Sequence, residues 1–347
     1  MTHVGERPAR RGPARPTLEA VAQLAGVGRG TVSRVVNGAP GVSDQARAVV
    51  ERAIAELGYV PNRAARTLVT SRTDAIALVI PETETRLASE PFFAEIIRGV
   101  ASELSDTEMQ LLLILVRTAQ ERERLAAYLS GHRVDGVLMV SVHSEDPLVD
   151  LLERTGLPAV LGGRRSELES LSYVNPDNFG GAWAAVRHLA GLGRTRIATI
   201  TGPLDMEGAR SRLDGYRRAL EEAGLPEDET LLGQGDYSEE SGVRAMRELL
   251  DRRPELDAVF GASDLMAAGA MRVLRQSGRR IPEDVAVVGF DDSPVARHTD
   301  PAMTTVRQPS EEMGRAMARL LLEEIAAPSR THRQIILTTE LIRRESA

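Results

Sequence analysis

From residue 75 to residue 292 the chain alternates short, wholly apolar runs with longer amphipathic ones, and this alternation leaves few folds open to it. AIALVI is followed by FFAEIIRGVASEL, QLLLILV by ERLAAYLSG, and GVLMV by DLLERTG. PAVLG, AWAAVRHLAGLG, RIATITG, RLDGYRRALEEAG, VRAMRELLDRR, AVFGA, LMAAGAMRVLRQSG and DVAVVGFDD continue the series. A short run without polar positions is a strand buried on both faces. An amphipathic helix after it covers the sheet, the pattern of parallel α/β folds. There are too many such strands for one small sheet, so two doubly wound parallel-sheet lobes are expected. The longest apolar runs, such as AIALVI, are strand-length and far short of a membrane span. The absence of Cys excludes disulfides, thiolate metal sites and cysteine nucleophiles, and six His without an H-x-x-x-H pair argue against a His-based metal site.

The first 72 residues are built differently. Residues 1–15 are rich in Arg, Pro and Gly and are expected to be a disordered basic tail that adds general attraction to phosphates. Three short helices follow. Thr17 caps the first, in which Leu18, Val21, Ala22 and Ala25 share one face, and Gly26 ends it. Thr31, Val32, Val35 and Val36 mark the second, closed by Asn37-Gly38. Ser43 caps a third that turns Val49, Val50, Ala53, Ile54 and Leu57 inward and stops at Gly58. Ala22 is small where two helices cross, and Gly26 gives the backbone freedom of a sharp turn. With Val21, Ala25, Val32 and Val35 in a small core, Arg29, Gly30, Thr31, Ser33 and Arg34 are left on the open face. Hydroxyls and guanidinium groups there suit base edges and phosphates in a DNA major groove. The plainer alternative is a helical hairpin with solvated arginines. Charge favours the first reading: residues 1–72 hold eleven Arg against five acidic residues, an excess of +6, so with a total of −7 the remainder carries −13.

LEAVAQLAGVGRGTVSRVVNG, followed by GVSDQARAVVERAIAELGYVPNRAARTL, resembles the head and hinge of the LacI/GalR family of repressors. The later lobes resemble that family's sensor and the periplasmic sugar-binding proteins. The resemblance implies an all-α helix-turn-helix head on an α/β, periplasmic-binding-protein-like body of two doubly wound parallel-sheet lobes. The head spans 16–60, a hinge helix 61–72, and the body 73–347. Within the body the N-lobe takes about 73–176 and 308–333, the C-lobe about 177–307 and 334–347. The resemblance also implies that Arg29, Gly30, Ser33 and Arg34 touch bases and phosphates, with Thr31 and Asn37 on the backbone and Thr17 among the DNA-binding residues. Gly30 departs from the family, where a longer side chain often stands, so readout there is weak. The family's hinge folds on DNA beside its dimer partner. That implies DNA contacts for Asn62, Arg63 and Ala65, and an apolar wedge into the minor groove at Leu68. The alternative is that Leu68 packs on the body.

Open parallel sheets bind ligands at the carboxyl ends of their strands, which points to a cleft between the lobes. Phe92 and Phe93 follow the first strand, placed to stack on a sugar ring. Arg212, in ARSRLDGY, stands where the family keeps a ligand-holding arginine, and its forked donors suit vicinal hydroxyls or a carboxylate. Asp291, in VVGFDDSP, aligns with the family's ligand-binding aspartate, and Tyr237, in GDYS, with an aromatic that lies against the ligand. The plainer alternatives are a solvated Arg212, an Asp291 that caps the next turn, and core phenylalanines. Asp291 and Asp292 are consecutive, so their side chains point apart. Ser263-Asp264 stands where relatives often have Asn-Asp, and Gly162-Gly163-Arg164 where an acidic residue often precedes an arginine. Ser263, Asp264 and Arg164 complete the expected effector contacts, and both departures point to a ligand unlike that of the best-studied members. RLDGY, PLDMEGA and VSVHSEDP resemble oligosaccharide-responsive members, a cellobiose-type subgroup among them.

The expectation is a transcriptional regulator, of repressor type, whose affinity for a pseudo-palindromic double-stranded operator is set by a mono- or oligosaccharide between its lobes. No cofactor or metal is implied. A homodimer is expected, because one head reads one half-site and no heptad zipper follows Ala326. An enzyme is disfavoured: no G-x-S-x-G, P-loop, H-E-x-x-H or dinucleotide fingerprint follows a strand. A transport receptor is disfavoured because the N-terminus lacks the apolar core of a secretory signal, which places the chain in the cytoplasm. A DNA-packaging protein has no use for so large a cleft-forming body.

Overall fold

A computed structural model describes residues 16–37, 39–60, 72–326 and 332–347, and the chain divides at Thr73/Asp74 into two units. The expected basic tail and nearly all of the hinge, with Asn62, Arg63, Ala65 and Leu68, lie outside the described residues.

The first unit contains α1 (Leu18–Ala25), α2 (Arg29–Val36) and α3 (Asp44–Leu57). Local chemistry sets their ends. The Thr17 hydroxyl accepts from the Ala20 N–H at 3.3 Å, and that of Ser43 from Ala46 at 3.3 Å. Gly26, at φ 65°, closes α1 in the left-handed region that glycine enters without strain. Val21, Val32 and Val50 are fully buried, and Ala22, Ala25, Val35, Ala53 and Tyr59 close the core around them. At roughly 1.5–3 kcal/mol for each fully buried large aliphatic side chain, this small cluster is the main stabiliser of the head. Val49, Ile54 and Leu57, expected inward, pack half-buried on its margin.

The second unit holds two sheets. The first comprises β1 (Ala75–Ile80), β2 (Gln110–Leu115), β3 (Gly136–Val140), β4 (Ala159–Gly162), β5 (Ser172–Pro176) and β11 (Gln334–Leu337), all parallel, in the order β11-β5-β4-β3-β1-β2. The second comprises β6 (Ile197–Thr201), β7 (Leu232–Gln234), β8 (Ala258–Gly261), β9 (Ala286–Asp291), β10 (Thr304–Arg307) and β12 (Glu340–Ile342), in the order β12-β10-β9-β8-β6-β7. Only β12 runs antiparallel, against β10. N-lobe helices are α4 (Glu84–Ser89), α5 (Pro91–Leu104), α6 (Ala119–Ser130), α7 (Pro147–Thr155) and, late in the chain, α13 (Ser310–Ala326). C-lobe helices are α8 (Asn178–Gly191), α9 (Glu207–Glu222), α10 (Glu239–Arg252), α11 (Asp264–Gln276) and α12 (Pro294–His298).

The apolar runs form strands with both faces covered, as their composition requires. In β1, Ile76, Leu78 and Ile80 meet α5 and α13, while Ala77 and Val79 meet the side chains of α6 and α7. The α5–α13 contact is close because two glycines face it: a Cβ on Gly99 would stand 2.0 Å from the Glu311 carbonyl oxygen, and one on Gly314 2.4 Å from that of Ile96. The chain passes between lobes after β5, after β10, and finally between Leu337 and Glu340. The last passage was expected at 333/334. It falls later because Gln334–Leu337 pairs with β5, register Gln334 to Tyr173, and so edges the N-lobe sheet.

Candidate functional site

In both sheets the strand order reverses beside the first strand, between β1 and β3 and between β6 and β8, and a crevice opens at the carboxyl ends there. The two crevices face one another across a cleft that is open to solvent and lined by residues of both lobes, the usual place for a small-molecule site in such folds. Its walls are strand exits. Arg86, Glu90, Phe92 and Phe93 follow β1; Ser141 follows β3; Arg164 follows β4; Asn175 and Pro176 end β5. From the C-lobe come Arg212 on α9, Tyr237 after β7, Ser263 after β8, Asp291 and Ser293 at β9, and Gln308 after β10.

Arg212 organises the C-lobe wall. Its Nε donates to Asn178 Oδ1 at 2.8 Å, Nη1 to the Ala262 carbonyl at 2.5 Å, and Nη2 to Gln308 Oε1 at 3.3 Å. The guanidinium lies 3.7 Å from the centre of the Phe290 ring and 3.9 Å from Asp291 Oδ1. Asp291 in turn accepts from Gln308 Nε2 at 2.7 Å. Burial pushes its carboxyl well above the ordinary range, against the pull of Arg212. Both Asp291 and Asp292 have positive φ, 123° and 56°, a backbone turn that sends the two side chains apart. Asp292 points away from the cleft, accepting from Arg307 Nε at 2.8 Å and from Arg344; burial alone would raise its carboxyl, but these two cations hold it below the usual range.

Phe92 and Phe93 meet edge to face, centroids 5.3 Å apart. Both border the cleft, yet Phe93 is 1% exposed and belongs to the N-lobe core, leaving Phe92 as the more accessible ring. Tyr237, at φ 72°, lies between two guanidinium groups, with Arg86 5.4 Å and Arg212 5.8 Å from its ring centre. Ser263 reaches the cleft rim while its hydroxyl caps α11. Arg164 is engaged across the cleft, with Nη2 donating to Glu207 Oε1 at 2.8 Å and Nε at 3.0 Å.

Asp264 is not brought to the cleft surface. It is fully buried behind the wall, accepting from the Ser293 N–H at 2.7 Å and from the Thr305 hydroxyl at 2.5 Å, and burial pushes its carboxyl up to about 7. As the first residue of α11 it turns beneath the strands, and Ser263 alone of that pair meets the cleft.

Sequence reasoning missed Arg86, Glu90, Asn178, Ser293 and Gln308. Their common signal is position, a few residues past a strand or at the next helix start. Arg86 sits in the polar run ETETRLASE, where no periodicity marks it, and is clamped by Glu82 and by Glu90 at 2.5 Å. Ser293 Oγ is buried with no protein partner, a polar atom left for something else to meet.

In the head, Arg29, Gly30 and Arg34 are exposed, and Thr31, Ser33 and Asn37 are half-buried on the same helix and its cap. Thr17, whose hydroxyl is committed to capping α1, precedes them. Arg29 is paired with Glu19 at 3.2 Å, and Asn37 Nδ2 donates to Ser33 Oγ at 3.3 Å. A Cβ on Gly30 would meet nothing within 4 Å.

Residues 17–62 match the domain described as bacterial regulatory proteins, lacI family, and residues 186–347 a periplasmic binding protein-like domain. The chain is 56% identical to the HTH-type transcriptional regulator CelR of Thermobifida fusca, over 96% of this chain and 98% of the relative. It is 35% identical to the ribose operon repressor of Escherichia coli K12, over 95% of this chain and 99% of that one. Among solved structures, a CelR–cellobiose complex is similar at 54% identity and TM-score 0.78, covering 96% of this chain and 100% of the other. The lac repressor dimer bound to operator and the anti-inducer ONPF is similar at 28% identity and TM-score 0.84, covering 96% and 99%.

Proposed function

Because the chain belongs to the LacI family of bacterial transcriptional regulators, and not to a family of enzymes, we propose that its interlobe cleft takes cellobiose as the effector that sets operator affinity. The protein is a sequence-specific DNA-binding regulator, acts as a homodimer, and answers to a sugar bound in the body. A pair of heads related by two-fold symmetry fits a pseudo-palindromic operator. Among the described residues no helix is long and apolar enough to cross a membrane, and we assign the protein to the cytoplasm, where its DNA lies.

The observation that carries the cellobiose reading is the fixed polar cluster of Arg212, Asn178, Gln308 and Asp291 beneath aromatic walls. Forked donors and a carboxylate meet vicinal hydroxyls, while the faces of Phe92 and Tyr237 meet the apolar faces of sugar rings. Ser263 and Ser293 line the cleft beside this cluster, and Arg164 bounds it from the N-lobe. In the head, Arg29, Gly30, Ser33 and Arg34 face bases and phosphates, with Thr17, Thr31 and Asn37 on the backbone. Asn62, Arg63, Ala65 and Leu68 extend that contact into the minor groove. Effector and operator then couple only through the difference in sugar affinity between the two lobe arrangements, about 1–3 kcal/mol in such systems.

The test is fluorescence anisotropy of the chain's own upstream DNA, with cellobiose, glucose and ribose added separately. A change in DNA affinity with cellobiose and not with the monosaccharides supports the reading. Specific DNA binding that no cellobiose concentration alters overturns it.

A further inference from the structure

Two runs that stood out in the sequence, VSVHSEDP and PLDMEGA, meet each other across the cleft. The first leaves β3 in the N-lobe; the second leaves β6 in the C-lobe. His143 Nδ1 lies 2.7 Å from Asp205 Oδ2, and its Nε2 3.6 Å from Glu82 Oε1. The Ser144 N–H and hydroxyl both donate to the Asp205 carbonyl, at 2.9 and 2.6 Å. Arg210 completes the seam, donating to Ser144 Oγ at 2.9 Å and to the Arg165 carbonyl at 3.0 Å. Ser141, at φ 58°, turns the run back so that its hydroxyl donates to Glu82 at 2.5 Å.

We infer that this seam is a latch between the lobes, with His143 as its proton-sensitive member. The reason is valence. A neutral imidazole has one N–H and no charge, so it can donate to Asp205 but only turns a lone pair toward Glu82; a protonated ring donates to Asp205 and pairs by charge with Glu82. The charged groups around the ring are Glu82 and Arg86 from the N-lobe and Asp205 and Arg210 from the C-lobe. The two carboxylates are the ones in contact, and they hold the imidazole charged to higher pH than an ordinary histidine. Glu82 also grips Arg86, which lies over Tyr237, so the latch ends on a cleft wall. His143 is therefore a positioning residue. Since its pKa is raised in the closed arrangement, closure is favoured below that pKa and weakened as pH rises through it.

The effector consequence rests on the cleft being the sugar site; the closure itself does not. Closure is measured without ligand, by spin labels on Leu168→Cys and Glu240→Cys, exposed positions one in each lobe of a chain with no native Cys. Between about pH 6 and about pH 8.5 the interlobe distance of the whole chain should shift toward longer values, and in His143→Gln it should shift clearly less. Calorimetry with cellobiose over the same range should show a loss of affinity at least about fivefold larger in wild type than in His143→Gln or Asp205→Asn. Other cleft carboxyls titrate equally in wild type and variants, so the difference isolates His143. Identical pH responses in wild type and both variants overturn the latch. Absence of cellobiose binding with a normal distance response overturns the effector assignment and leaves the latch standing.

Discussion

Gly202 leaves no room beside the ring of Tyr237: a Cβ on the glycine would stand 2.2 Å from the ring Cζ and 2.5 Å from its hydroxyl oxygen. The clash is with the outer part of the ring, which must move out from between Arg86 and Arg212, a shift confined to the cleft wall rather than the backbone. Gly202→Ala should leave the melting temperature within a few degrees of wild type. It should weaken cellobiose binding about tenfold or more, because the displaced ring no longer walls the cleft. Calorimetry and thermal denaturation on one sample decide it; unchanged affinity removes Tyr237 from the site.

Arg212→Lys retains the charge and loses the fork. Three buried acceptors, on Asn178, Ala262 and Gln308, cannot all be met by one ammonium. A fall in stability of about 1–3 kcal/mol is expected for the acceptors left unmet, with loss of sugar response beyond what that fall explains. Denaturant unfolding measures the first and operator release the second.

Asp264 makes stability depend on pH. Its carboxyl is raised from about 3.8 to about 7 by burial, so the folded state holds the proton more tightly than the unfolded chain does. Its favourable contribution is full below pH about 4 and is lost as pH rises toward about 7. In Asp264→Asn the amide can accept from Ser293 and donate to Thr305 without ionising. The variant should therefore gain on wild type as pH rises from about 4 to about 7.5, read as the difference in urea midpoint. Parallel pH profiles would refute the assignment.

At Gly30 there is open space, and glycine inside a helix costs about 0.5–1 kcal/mol relative to alanine. Gly30→Gln should leave the head at least as stable and add a side chain able to contact an adenine edge. Selection from a random DNA pool should then return operators that differ from wild type at one position in each half-site. The same operators from both proteins would mean residue 30 does not face the bases.

Much of this architecture was readable beforehand, and the exceptions have physical causes. The helix ends at Thr17, Gly26 and Ser43 were legible because capping is local chemistry. Phe92, Arg212, Tyr237, Ser263 and Asp291 reach the cleft because strand exits in a parallel sheet converge on one crevice. Arg86 escaped because its run has no period, and its neighbours Glu82 and Glu90 hide it as an ordinary surface charge. Asp264 was expected at the cleft together with Ser263, but one residue further along a helix start is enough to turn its side chain from cleft to core. The lobe given to Gln334–Leu337 could not be read locally, since its partner strand lies more than a hundred residues earlier.

That late pairing has a consequence for synthesis. The last two strands edge different sheets, β11 beside β5 and β12 beside β10. Chains emerge from the ribosome N-terminus first, and domains tend to fold as they emerge. Here neither lobe can complete its sheet until residues 334–342 have been made, so both finish together, and a nascent chain stalled before Gln334 leaves β5 and β10 as uncovered edges.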